Sequence, residues 1–135
     1  MGSVEQPIKL DTGALTPAQL DALLGYLPLE VTFVDENDII RYFSVPEKRI
    51  FPREAAIIGK RVQECHKPSS VPAVNRIIDD FRAGRKDMAE SWHSHEGRTV
   101  HVRYLAVRNR DGKYLGCLET AQDVTDIRES KAGGR

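Results

Sequence analysis

Apolar residues recur along this chain in two rhythms, and the switches between them mark out the elements. In the run "TPAQLDALLGYLP", Leu20, Leu23, Leu24 and Leu27 fall three and four apart, the spacing of one helical face. Thr16 as N-cap and Pro17 at the first helical position predict where that helix starts, and Gly25 or Pro28 where it stops. The same rhythm returns in "SSVPAVNRIIDDFRAG" at Val71, Val74, Ile77, Ile78 and Phe81. This predicts the longest helix of the chain, from Ser69 or Ser70 to about Phe81, with a serine cap, a terminating Gly84 and one buried face.

Elsewhere the pattern alternates. "EVTFVDENDIIRYFS" sets two β-rich runs around Asp35-Glu36-Asn37-Asp38, residues suited to a tight turn, and so predicts a hairpin. "DMAESWHSH", "RTVHVRYLAVRN" and "KYLGCLETAQDV" read as three strands joined at Glu96-Gly97 and at Asp111-Gly112, the second of which favours a two-residue type I′ turn. Between hairpin and long helix, Pro46, Pro52, Gly59 and Pro68 interrupt every run, leaving loop with one or two short helical turns near Arg53 to Ile58. Two strands, a helical crossover and three strands predict an α+β domain: a five-stranded antiparallel sheet with helices on one face and a leading N-terminal helix.

Composition narrows the function classes. With 135 residues the chain is one domain. Residues 1–14 read as a leader without structure or from a tag, 15–28 as the leading helix, 29–127 as the domain, and 128–135 as a tail or the start of a signalling helix. Twenty basic residues balance twenty acidic ones, so no overall field favours nucleic acid or an anionic membrane. No apolar run reaches the ~20 residues of a membrane span, and the opening "MGSVEQP" lacks the regions of a signal peptide. A cytoplasmic protein with Cys65 and Cys117 as free thiols is expected.

The element order, with "VTFVDENDIIRYFS" as a first hairpin and "GKYLGCLETAQDVTDIR" as a closing strand with an Asp-Val-Thr ending, resembles the PAS domain. More narrowly, "TGALTPAQLDALLGYLPLEVTFVDENDIIRYFS", "RIFPREAAIIGKRVQECH" and "VRYLAVRNRDGKYLGCLETAQDVTDIR" resemble the PAS domain attached to bacterial DUF438 and hemerythrin-like proteins. The Cys65-His66 doublet belongs to that resemblance, although Lys67-Pro68-Ser69-Ser70 stands where such relatives commonly carry Pro-Pro-Lys-Ser. The resemblance implies a PAS fold acting as a sensor of a small ligand, haem among the candidates. The ligand would sit between the sheet and residues 53–81, walled by Phe33, Ile40, Tyr42, Ile78, Val102 and Tyr104.

Candidate chemistry remains divided. A two-residue turn at Glu96-Gly97 pairs His95 with Arg98, His93 with Val100 and Ser91 with Val102, which sets His93 and His95 on the face of Val100, Val102 and Tyr104. Trp92 and His101 then share the other face. Neutral imidazole ligates iron well; His66 is the first choice of haem ligand because the family resemblance reaches it, with His93 and His95 as alternatives supported by the register alone. Against this, His66 can simply hold a loop carbonyl, and His93 and His95 can sit wet at a hairpin tip. No CxxC or HExxH spacing suggests a closed zinc site. Cys65 as a nucleophile lacks a base placed by the sequence, so an enzyme is not expected. Two further readings stand beside the sensor: a ligand-free dimerisation module and, behind it, a cysteine-dependent enzyme. A homodimer packed through the leucine stripe and the outer sheet face is expected. The signal would leave through "DVTDIRES", where Asp126 and Glu129 suggest a capping box.

Overall fold

Along the residues that the computed structural model describes, 6–44 and 49–127, the elements run β1 (Ile8–Leu10), β2 (Gly13–Leu15), α1 (Pro17–Tyr26), β3 (Glu30–Asp35), β4 (Ile40–Phe43), α2 (Val71–Arg82), β5 (Met88–His95), β6 (Arg98–Arg108) and β7 (Tyr114–Asp123). Short 3-10 turns at Ala55–Ile57, Val62–Cys65 and Pro68–Ser70 bridge β4 and α2. The five-stranded antiparallel sheet has the order β4-β3-β7-β6-β5, so the last strand in sequence lies at its centre. This is a PAS fold.

Local chemistry accounts for most boundaries. Thr16 Oγ1 accepts the Gln19 backbone N–H at 3.1 Å and the Gln19 side chain accepts the Thr16 N–H at 2.9 Å, a reciprocal cap that starts α1. The helix stops at Tyr26, one residue before Leu27 and Pro28 leave helical geometry. Glu96 and Gly97 both hold positive φ, 49° and 77°, as a two-residue type I′ turn demands. The register that follows is the expected one: His95↔Arg98, His93↔Val100, Ser91↔Val102.

Four expectations need correction. Residues 8–14, placed in a leader without structure or from a tag, and Leu15, placed in the leading helix, form the β1–β2 hairpin, with Gly13 at φ +118° easing the return; strands of three residues are too short to reveal a pattern. Asp111-Gly112 is no two-residue turn. Arg108 pairs with Tyr114, Asn109 Oδ1 accepts the Asp111 and Lys113 N–H groups, and only Gly112 of the doublet has positive φ, which rules out type I′. Ser70 precedes α2 without capping it through its side chain, because the 3-10 turn at Pro68–Ser70 feeds the helix directly. Finally, Asp123 rather than Asp126 turns the chain after β7. Its Oδ1 accepts the Thr125 N–H at 3.0 Å, while Asp126 reaches Arg98 at 3.3 Å and Glu129 lies outside the described residues.

The core sits on one face of the sheet. Val100, Val102 and Ala121 cluster there with Ile50, Phe51 and Tyr104 packed on them, and Phe81 and Ile78 of α2 are buried. Burial of a side chain such as Phe81 contributes about 1.5–3 kcal/mol. Two polar ties fix α2 against the β3–β4 turn. Arg82 donates to Asp38 at 2.6 Å, and the Gln63 amide donates to both Asp38 (3.1 Å) and Asn75 (3.0 Å).

Candidate functional site

Between α2 and the sheet lies a cavity of about 250 Å³. Strand alternation gives it its sheet wall: Val34 of β3, Cys117 and Glu119 of β7 and Tyr104 of β6 point to the same face, because Val34 pairs with Cys117 and Tyr104 with Glu119. Helical spacing gives the opposite wall, with Ser70, Ala73, Val74, Ile77 and Ile78 arranged along one side of α2 and its entry. Val62 and His66 close one end from the 3-10 turn at Val62–Cys65 and the residue after it.

The walls are mainly aliphatic and the polar groups few. Tyr104 is pushed up to about 12 by burial and by the nearby Glu119 and Cys117, so its phenol stays protonated in neutral solution. The Cys117 thiol is likewise pushed up to about 12, chiefly by burial, and behaves as a small apolar group. Glu119 is held at its rim by Arg53, Nη2 to Oε2 3.3 Å, from the segment before α2. His66 Nδ1–H donates to Val62 O at 2.9 Å, which in the neutral ring leaves Nε2 as an acceptor.

The residues expected to build this site divide. His66, Ile78 and Tyr104 line the cavity. Ile40, buried and paired with Val34, lies beside the cavity without lining it, and Val102 belongs to the adjoining core. Phe33 and Tyr42 face the other way: they are cross-strand partners on the opposite side of the sheet, one residue out of step with Val34. Cys65 is exposed and lines nothing here. His93, exposed, hydrogen-bonds Ser91 Oγ at 2.8 Å. His95 packs against Phe51, ring centroids 5.7 Å apart, in a separate cleft at the hairpin tip with Arg98 and Asp123. The sheet face assigned to His93 and His95 was right, but the tip of an edge hairpin lies away from the cavity. Cys117, Glu119 and Ser70 were missed; a carboxylate at an inward position of "LGCLETAQ" was the available signal.

Among the described residues no three His, Cys, Asp or Glu side chains stand together so as to hold a metal ion, and no helix is long and apolar enough to cross a membrane.

A five-stranded antiparallel sheet covered on one face by a crossover helix is an α+β architecture, and the family is explicit. The PAS domain profile matches residues 20–125, and the chain belongs to the PAS domain family. It is similar to the crystal structure of a C-terminal domain from Streptococcus mutans, at 33% identity and TM-score 0.86, covering 93% of this chain and 98% of that one. The PAS domain of BvgS from Bordetella pertussis shares the fold at 16% identity and TM-score 0.60, covering 84% and 89%. A sensory box sensor histidine kinase from Vibrio cholerae does so at 19% and 0.55, covering 78% and 89%. No curated protein matches the sequence.

Proposed function

We propose that this PAS domain is a sensory module whose cavity takes a compact, mainly apolar molecule carrying one hydrogen-bond donor, such as an amine or a hydroxyl. The observation that carries this reading is Glu119 facing the aliphatic wall of Val74, Ile77 and Ile78 from the central strand. A carboxylate accepts and does not donate, so it selects a donor, and Tyr104 beside it fixes orientation. The resemblance of three sequence blocks to the PAS domains of DUF438 and hemerythrin-like proteins supports reading the chain as one of that group.

A relay has a short path. Glu119 and Asp123 lie on the same face of β7, and at Asp123 the strand gives way to the segment Val124-Thr125. Asp123 and Asp126 are both tied to Arg98, and Thr99 N–H donates to Thr125 Oγ1 at 2.7 Å. A ligand that shifts β7 by sharing Glu119 with Arg53 therefore acts on the strand that leads out of the domain.

Haem fits this cavity poorly. Drug-sized ligands occupy roughly 300–1,000 Å³, and about 250 Å³ lies below that range. His66 has the acceptor nitrogen for the axial position, but the cavity that it lines is smaller than the usual range for ligand pockets.

Titrating labelled protein with hexylamine, hexanol and hexanoate, read by NMR shifts of the Ile78 methyls, tests the reading. The amine and alcohol bind and the carboxylate does not, and Val74→Phe abolishes the shifts while circular dichroism stays native. Binding of hexanoate alone would sink it. Haemin titration with a Soret band displaced in His66→Ala would restore the haem reading in its place.

A further inference from the structure

The sheet is finished differently at its two edges. Along β4 the edge is closed by the chain itself: Ile40 N–H donates to Lys60 O at 2.9 Å, Gly59 N–H to Ile40 O at 2.8 Å and Val62 N–H to Asp38 O at 2.8 Å. At the far edge, no strand among the described residues pairs with the outer side of β5. Strands left open in this way carry lysine, proline or a bulge as protection. β5 has none of these. Its register with β6 is unbroken from Met88↔Leu105 to His95↔Arg98, and its single carboxylate, Glu90, is engaged by His101 Nε2 at 2.6 Å. On its outer face Met88 and Trp92 are 45% and 58% exposed.

We propose that β5 pairs antiparallel with β5 of a second copy of this chain, about a two-fold axis at Trp92, so that one sheet runs through both molecules. Self-pairing across such an axis keeps each residue on its own face and opposes positions equidistant from the centre. Centred on Trp92, it sets Trp92 against Trp92, Glu90 against Ser94, Ser91 against His93 and Ala89 against His95. Like charges never meet. Centred on Glu90, two carboxylates face each other; centred on His93, Glu90 faces Glu96; centred on Ser91, Trp92 faces Glu90. Only the Trp92 register joins the aromatic groups. Trp92 stacks on His101 at 4.1 Å and 16°, so pairing extends a row of His101, Trp92 and their counterparts across the junction.

This interface replaces the leucine stripe as the contact for the expected homodimer. Leu20 and Leu24 are half-buried within the chain, so the stripe presents Leu23 and Leu27 but not its full face.

The test is sedimentation at tens of micromolar with charges placed at the exposed position 94. The parent is dimeric. Ser94→Glu opposes Glu90 of the other copy and weakens association about tenfold or more, whereas Ser94→Lys, attracted to the same Glu90, does not. In a Cys65→Ser background, mixed Glu90→Cys and Ser94→Cys proteins form a disulfide heterodimer on mild oxidation that neither forms alone. A monomeric parent, equal effects of Ser94→Glu and Ser94→Lys, or cross-linking through Leu23→Cys of α1 without the 90–94 cross-link would each overturn the proposal.

Discussion

Phe33 lies across Gly116 so closely that a Cβ on that glycine would fall 2.6 Å from the ring's Cζ and 2.2 Å from the Val34 carbonyl oxygen. Gly116 also holds φ +152°, a conformation side chains rarely adopt. Gly116→Ala must therefore push β3 from β7 as well as strain its own backbone. The expected loss is about 2–4 kcal/mol, read as a lower urea midpoint with the fold retained. Gly112→Ala, with open space around its Cβ position, loses less.

Glu30 and Arg49 form a buried ion pair at the edge of the core, with side chains 5% and 8% exposed and Nη2 to Oε1 3.4 Å. The Glu30 carboxylate also accepts the Ile50 and Phe51 backbone N–H groups, and Arg49 donates to the carbonyls of Ser44 and Phe51. Glu30→Ala leaves a buried guanidinium without its counter-charge and two amides without their acceptor, and costs about 3–5 kcal/mol. The double variant Glu30→Leu/Arg49→Met is expected to lose less than the sum of its singles in denaturant melts.

Asp123 is held down to about 2 by the Arg98 guanidinium and by hydrogen bonds from Thr125. A carboxyl depressed in the folded state adds stability above its ordinary value near 3.8, and that stability disappears as pH falls toward the folded value. The Asp123 contribution to the melting temperature should be fully present above about 4 and lost between about 4 and 2, read as the difference between parent and Asp123→Asn across that range. In Asp123→Asn that loss is absent, and the melting temperature at neutral pH is already lower.

The two thiols should react very differently. Cys65 is exposed; Cys117 is buried in the cavity wall with its thiol pushed up to about 12. A thiol reagent at pH 8 is expected to label Cys65 within minutes and Cys117 only on unfolding. Immediate labelling of both would mean that α2 opens from the sheet far more readily than its packing indicates.

What the sequence determined by itself is what short-range physics controls. The period of Val71 to Phe81 set a helix, alternation set the strands of the five-stranded sheet, and the Glu96-Gly97 turn set the β5–β6 register residue by residue, because each depends on neighbours within a few positions. The order of elements, with "VTFVDENDIIRYFS" as a first hairpin and "GKYLGCLETAQDVTDIR" as a closing strand, carried the PAS family. The tertiary structure decided the rest. That β7 lies at the centre of the sheet, with Glu119 between Thr32 and Tyr104, depends on pairing with β3 across more than eighty residues, which no local pattern encodes. Phe33 and Tyr42 were assigned to the cavity on apolar character alone, yet the pleat points them away, since one step along a strand exchanges faces. His66 and Glu119 meet in one cavity, and His95 does not, because a hairpin tip and a helix entry are brought together or held apart only by the packing of α2 on the sheet.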